Sequence, residues 1–140
     1  MTTIFVYGTL KRGYGNWRNY LDNDGARFLG EAVSNANDYA MVNVGFPILC
    51  ASVEDGAFVV GELFEVNDAV LAAVDKLEGH PKWYLRQPRE FHNYRTGETV
   101  VADVYLQNEN DFDGAIVDPI AGALEWFPGC GRPPEGEEVA

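Results

Sequence analysis

"VYGTLKRGYG", residues 6–15, decides how this chain is read, because it joins an apolar run to a glycine-rich loop. Ile4, Phe5, Val6 and Tyr7 are β-branched or aromatic, and such a run predicts a buried strand. Gly8 ends it, and Gly13 and Gly15 follow within one short loop that also holds Lys11 and Arg12. A strand opening into such a loop can bind an anion through backbone N–H groups. Nucleotide motifs do not fit. Gly8 and Gly13 have P-loop spacing, but Tyr14-Gly15 stands where Lys-Ser/Thr is required. Gly13-Tyr14-Gly15 continues as Asn16-Trp17-Arg18, which fails G-x-G-x-x-G. The loop therefore suits a smaller anion, such as a carboxylate.

Working outward, strand-like stretches recur at residues 28–33, 39–44, 48–52, 58–66, 83–91 and 99–106. Gly/Asp/Asn/Pro turns separate them, and Thr96-Gly97 reads as a hairpin between the last two. Residues 16–21 and 120–126 are expected to form short helices. The pattern predicts an α+β fold, a small mixed-sheet β-barrel of about six or seven strands with a few short helices. Residues 1–128 are expected to form a single domain, followed by a mobile Pro/Gly/Glu-rich tail at 129–140.

Composition narrows the partners. With 46% hydrophobic and 23% charged residues the chain is an ordinary globular one, and its net charge of −12 opposes a nucleic-acid partner. The acidity is compatible with a cationic substrate or product, and equally with a solvated surface. Two cysteines, Cys50 and Cys130, make no disulfide framework. His80 and His92 fall in no zinc-ligand pattern, so no metal is expected. No apolar run reaches membrane-spanning length and no signal peptide precedes Ile4, so a cytoplasmic, membrane-free protein is expected. A monomer is favoured.

One helix is clearly written. Asn67 or Asp68 caps "AVLAAVDKL" (69–77), and Gly79 and Pro81 stop it. Val70, Leu71, Val74 and Leu77 share a face, with Lys76 pointing away. Glu78 breaks the pattern, because it projects between Leu71 and Val74 on the apolar face. It also sits at the negative end of the helix dipole, so desolvation and dipole both raise its pKa. Two explanations stand: an ion pair with a cation such as Arg86, or a general acid/base tuned towards neutrality. Asp75, three residues earlier, could suggest a glycosidase pair, but is read as a supporting residue at best.

"FVYGTLKRG" (5–13) and "VDKLEGHPKWYLR" (74–86), in that order, resemble the γ-glutamyl cyclotransferase-like superfamily, most closely its γ-glutamylamine cyclotransferase and AIG2-like branch. The Gly45-Phe46-Pro47 turn and "VVADVYL" (100–106) extend the resemblance over roughly residues 4–106. It implies a small mixed-sheet barrel that cleaves a γ-glutamyl amine. The substrate's α-amine attacks its own side-chain carbonyl, releasing 5-oxoproline and a free amine without a cofactor. Glu78 matches the family's catalytic glutamate. Tyr7, Gly8, Thr9 and Leu10 match its substrate cradle, and Tyr84 an aromatic pocket wall. Tyr7 reads equally as a core aromatic, and Lys11 and Arg12 as solvated rim residues. Arg86 is taken as structural, His80 as part of the turn, and Tyr105 as a weaker candidate. Alternatives are a non-catalytic binding module of the same fold, or a cyclotransferase that deprotects a γ-glutamyl biosynthetic intermediate.

Overall fold

Phe5 and Tyr7 point to one side of the opening strand, Ile4 and Val6 to the other, and all four are buried. The alternation is the ordinary period of a strand; burial on both faces explains why the run is apolar throughout. Phe5 and Tyr7 join a core with Leu49, Val59, Leu63, Phe91 and Val104. Ile4 and Val6 join a second core with Phe64, Val66, Val74 and Tyr105, against which Leu71 and Leu77 pack. In this computed structural model the described residues are 1–107 and 115–126, so Cys130 and the expected tail at 129–140 lie outside them.

The first core fills a closed barrel. β1 (Thr2–Val6) pairs antiparallel with β5 (Phe58–Val66), placing Phe5 opposite Leu63. β5 pairs with β2 (Ala26–Ser34), β2 with β6 (Leu85–Asn93), and β6 with β7 (Thr99–Leu106), all antiparallel. β7 returns to β1 in parallel, Phe5 opposite Val104, and so closes the ring. Closure removes the free edges that an open sheet would present. Inside it, the Phe5 and Phe91 rings stack with centroids 4.0 Å apart. Gly61 is required where β5 crosses β1, since a Cβ there would collide with the Val6 carbonyl and the Phe5 ring.

The expected α+β barrel is therefore present, with one difference in its make-up. β3 (Ala40–Asn43) and β4 (Pro47–Cys50) leave the barrel and form a separate sheet with β8 (Ala115–Ile116). Residues 120–126 are not helical. Ala121 and Gly122 both take positive φ, and the chain turns into β9 (Ala123–Leu124), parallel to Phe58 and Val59. Leu124 thereby reaches the barrel core, which a short isolated helix would not have offered it.

Among the described residues, two helices cover the second core. α1 (Gly15–Tyr20) follows the glycine loop, and α2 (Asp68–Glu78) lies between β5 and β6. The Asn67 side chain caps α2 by accepting from the Val70 N–H, and Gly79 ends it in the left-handed conformation, φ 68°. His80 N–H reaches Asp75 C=O at 2.9 Å and Gly79 N–H reaches Lys76 C=O at 3.2 Å, a Schellman closure. Among the described residues no helix is long and apolar enough to cross a membrane.

Candidate active site

The loop after β1 is shaped by its own backbone. Lys11 N–H donates to Gly8 C=O and Trp17 N–H to Thr9 C=O, both at 3.0 Å. Asn16 Nδ2 holds Thr9 Oγ1 at 2.6 Å. Among the described residues, the N–H groups of Gly8, Thr9 and Leu10 find no backbone acceptor. A turn whose N–H groups have no backbone acceptor can present them to an anion.

That loop lines a cavity of about 280 Å³, together with Leu77 and Glu78 from the end of α2, and Trp83 and Tyr84 from the turn beyond. Phe46 and Pro47 from the β3–β4 turn and Tyr105 of β7 complete the wall. Tyr7, Gly8, Thr9, Leu10, Glu78 and Tyr84, chosen from sequence, all line this one space. Sequence reasoning missed Phe46 and Trp83 as lining residues. The available signal was a large aromatic placed in each of two turns, where burial does not explain it.

Glu78 is half-buried in this wall, and desolvation pushes its carboxyl up to about 7. Its charge is felt by the hydroxyls of Tyr7, Tyr84 and Tyr105. The ion pair proposed as a structural explanation does not form. Arg86 instead binds Asp75 (Nε to Oδ1, 2.8 Å) and Asp103 (Nη1 to Oδ2, 2.6 Å). Tyr105 Oη adds a 2.6 Å hydrogen bond to Asp75 Oδ1. Asp75 and Arg86 thus tie the last turns of α2 to β6 and β7 and leave Glu78 to the cavity.

The tyrosines brace the walls. Tyr7 Oη donates to Tyr105 C=O and Tyr84 Oη to Pro47 C=O, each at 2.6 Å. Burial is the main cause holding both phenols above their ordinary range, with Glu78 adding to it. His80 belongs to the turn, its Nδ1 accepting the Arg86 N–H at 3.0 Å. Lys11 is not a solvated rim residue: it is only 5% exposed and its Nζ donates to Trp126 C=O at 2.8 Å. Burial lowers its pKa despite the neighbouring Glu125, Glu62 and Glu31. Arg12 lies with its guanidinium over Phe28, 3.5 Å from the centroid, and its N–H on Glu62. Gly8 also has a packing role in the fold. A Cβ there would meet Pro47 Cγ at 2.6 Å, so the glycine lets the β3–β4 turn close onto the loop.

Comparison with known proteins agrees with this arrangement. Residues 4–123 match the family described as gamma-glutamyl cyclotransferase, AIG2-like. A gamma-glutamylaminecyclotransferase of Rattus norvegicus is 37% identical over 91 residues, covering 61% of this chain and 60% of the relative. That of Bos taurus is 32% identical over 129 residues, 81% of this chain and 76% of its own. The crystal structure of an AIG2-like protein from Mus musculus superposes with a TM-score of 0.66 at 27% identity, over 98% of this chain and 99% of that one. Since the match runs from the strand that opens the cavity to beyond the helix end that walls it, the chain belongs to the γ-glutamyl cyclotransferase, AIG2-like family.

Proposed function

We propose that this protein cleaves γ-glutamyl amines by cyclisation, with Glu78 carrying the protons. One observation supports this above all: the Glu78 carboxyl, which has no cation partner among the described residues, lines the same cavity as the Gly8–Leu10 turn. In this reading the loop holds the substrate's α-carboxylate and the oxyanion that develops on the γ-carbonyl. Holding the chain folded brings the neutral α-amine onto that carbonyl, and the tethered five-membered closure supplies much of the rate. The new N–C bond forms as Glu78 takes a proton from the attacking nitrogen. Glu78 then passes that proton to the departing nitrogen, the old C–N bond breaks, and 5-oxoproline and a free amine leave. No proton is gained or lost overall. A carboxyl near 7 suits both halves, since it ionises and reprotonates readily at neutral pH.

Tyr7 and Tyr84 serve here as walls whose own protons are already held by carbonyl groups. The reading is tested by offering the protein a panel of γ-glutamyl amides and measuring 5-oxoproline. Glu78→Gln is expected to lower kcat by about 10²–10⁴ while retaining substrate affinity, because the amide keeps the carboxyl's shape. A variant that keeps more than half the wild-type rate removes Glu78 from the mechanism.

A further inference from the structure

The cavity has two chemically different ends. Phe5, Tyr7, Leu10, Tyr84 and Tyr105 are almost wholly buried and form its floor. Phe46 and Trp83, 42% and 46% exposed, stand at its mouth. In the cyclotransferase reading, a glutamyl group seated at Gly8–Leu10 would have its amine half on the side of that mouth. Among the described lining residues Glu78 is the only acid, and no lysine, arginine or histidine is present. A diamine's far ammonium would find no carboxylate beyond the one used for proton transfer. An amino-acid leaving group would bring a carboxylate with no cation to meet it. At this half-exposed mouth an ammonium keeps its water and gains only a weak cation–π contact with the rings, and a carboxylate gains no partner from the lining.

We infer that the Phe46–Trp83 mouth selects γ-glutamyl amides whose amine half is uncharged and aromatic, an inference that rests on the cyclotransferase reading above. The two rings come from separate turns, and those turns are fixed to each other. Tyr84 Oη donates to Pro47 C=O, so the residue after Trp83 is bonded to the residue after Phe46. Trp83 N–H is held by Gly79 C=O at 2.8 Å, and Val44 N–H by Phe46 C=O at 3.1 Å. A preset aromatic mouth gains apolar contact and ring packing with an aryl group at little ordering cost. The acidic surface draws cations from a distance, but beyond Glu78 and the ring faces the lining gives them no partner on arrival.

The test compares kcat/KM for the γ-glutamyl amides of methylamine, 2-phenylethylamine and putrescine. Wild type is expected to favour the phenylethylamide over both others by about tenfold or more. Trp83→Ala and Phe46→Ala are each expected to reduce that preference to about threefold or less, with Trp83→Phe retaining most of it. A preference for the putrescine amide, equal turnover of all three, or an unaltered preference in both alanine variants overturns the inference and leaves the cyclotransferase reading standing. Failure of every amide to release 5-oxoproline overturns both.

Discussion

In the proposed mechanism, Glu78 is where stability and chemistry pull against each other. A carboxyl pushed up to about 7 binds its proton more tightly in the folded protein than in the unfolded chain, where it titrates near 4.3. Stability is therefore lost as pH rises from about 4 to 7, and the loss levels off above the folded pKa. Glutamine has no proton to lose. Glu78→Gln is thus expected to be more stable than wild type at pH 8 by roughly 3–4 kcal/mol, at about 1.4 kcal/mol per pH unit of displacement. The advantage should vanish near pH 4, where both states of the wild type hold the proton. Urea melts of the two proteins across this range decide it. A mutant less stable than wild type at pH 8 would mean that Glu78 is a satisfied structural group.

At the scale of elements, the end of α2 is held by two devices. Gly79 supplies the left-handed residue that lets the chain reverse, and Asp75 with Arg86 and Asp103 clamps the helix to β6 and β7. Gly79→Ala meets both a left-handed penalty and Trp83 Cβ at 2.9 Å from the added methyl. It should cost about 1–2 kcal/mol of stability, the usual price of a side chain in that conformation. Because the turn it opens carries Trp83 and Tyr84, kcat/KM should fall as well. Thermal melts and steady-state kinetics on the same variant test this. Unchanged stability would show that the turn adapts, and that the glycine is not what fixes it.

For the molecule as a whole, the barrel closes because β1 finds partners on both sides, β5 antiparallel and β7 parallel. Phe5 sits at that closure with none of its side chain exposed, stacked on Phe91 from the far wall. Phe5→Ala should cost about 3–5 kcal/mol, a large share of the roughly 5–15 kcal/mol that holds an ordinary domain folded. The loss should appear as one cooperative urea transition at lower midpoint, since the ring touches both sides of the seam. A loss below about 1 kcal/mol would mean that the core collapses around the gap.

Much of this protein was legible in its residues alone. The apolar run 4–7, the Asn67 cap, the Gly79 stop and the misplaced Glu78 are local signals, set by strand and helix periods and by backbone freedom, and each has its counterpart in the structure. The strands at 58–66 and 99–106 were bounded to the residue for the same reason. What the sequence could not supply was anything that depends on distant partners. Residues 120–126 had too little pattern to distinguish a helix turn from a strand that pairs with Phe58. Lys11 became a buried donor to Trp126 only because the fold brings residues 115 positions apart together. Arg86 chose Asp75 and Asp103 over Glu78 through the register of β6 on β7, which sets Arg86 beside Tyr105. Gly8 and Pro47 touch through a similar long-range fit. Periodicity and capping act within a few residues, whereas pairing of charges and closure of a cavity depend on which surfaces meet, and tertiary structure alone decides that.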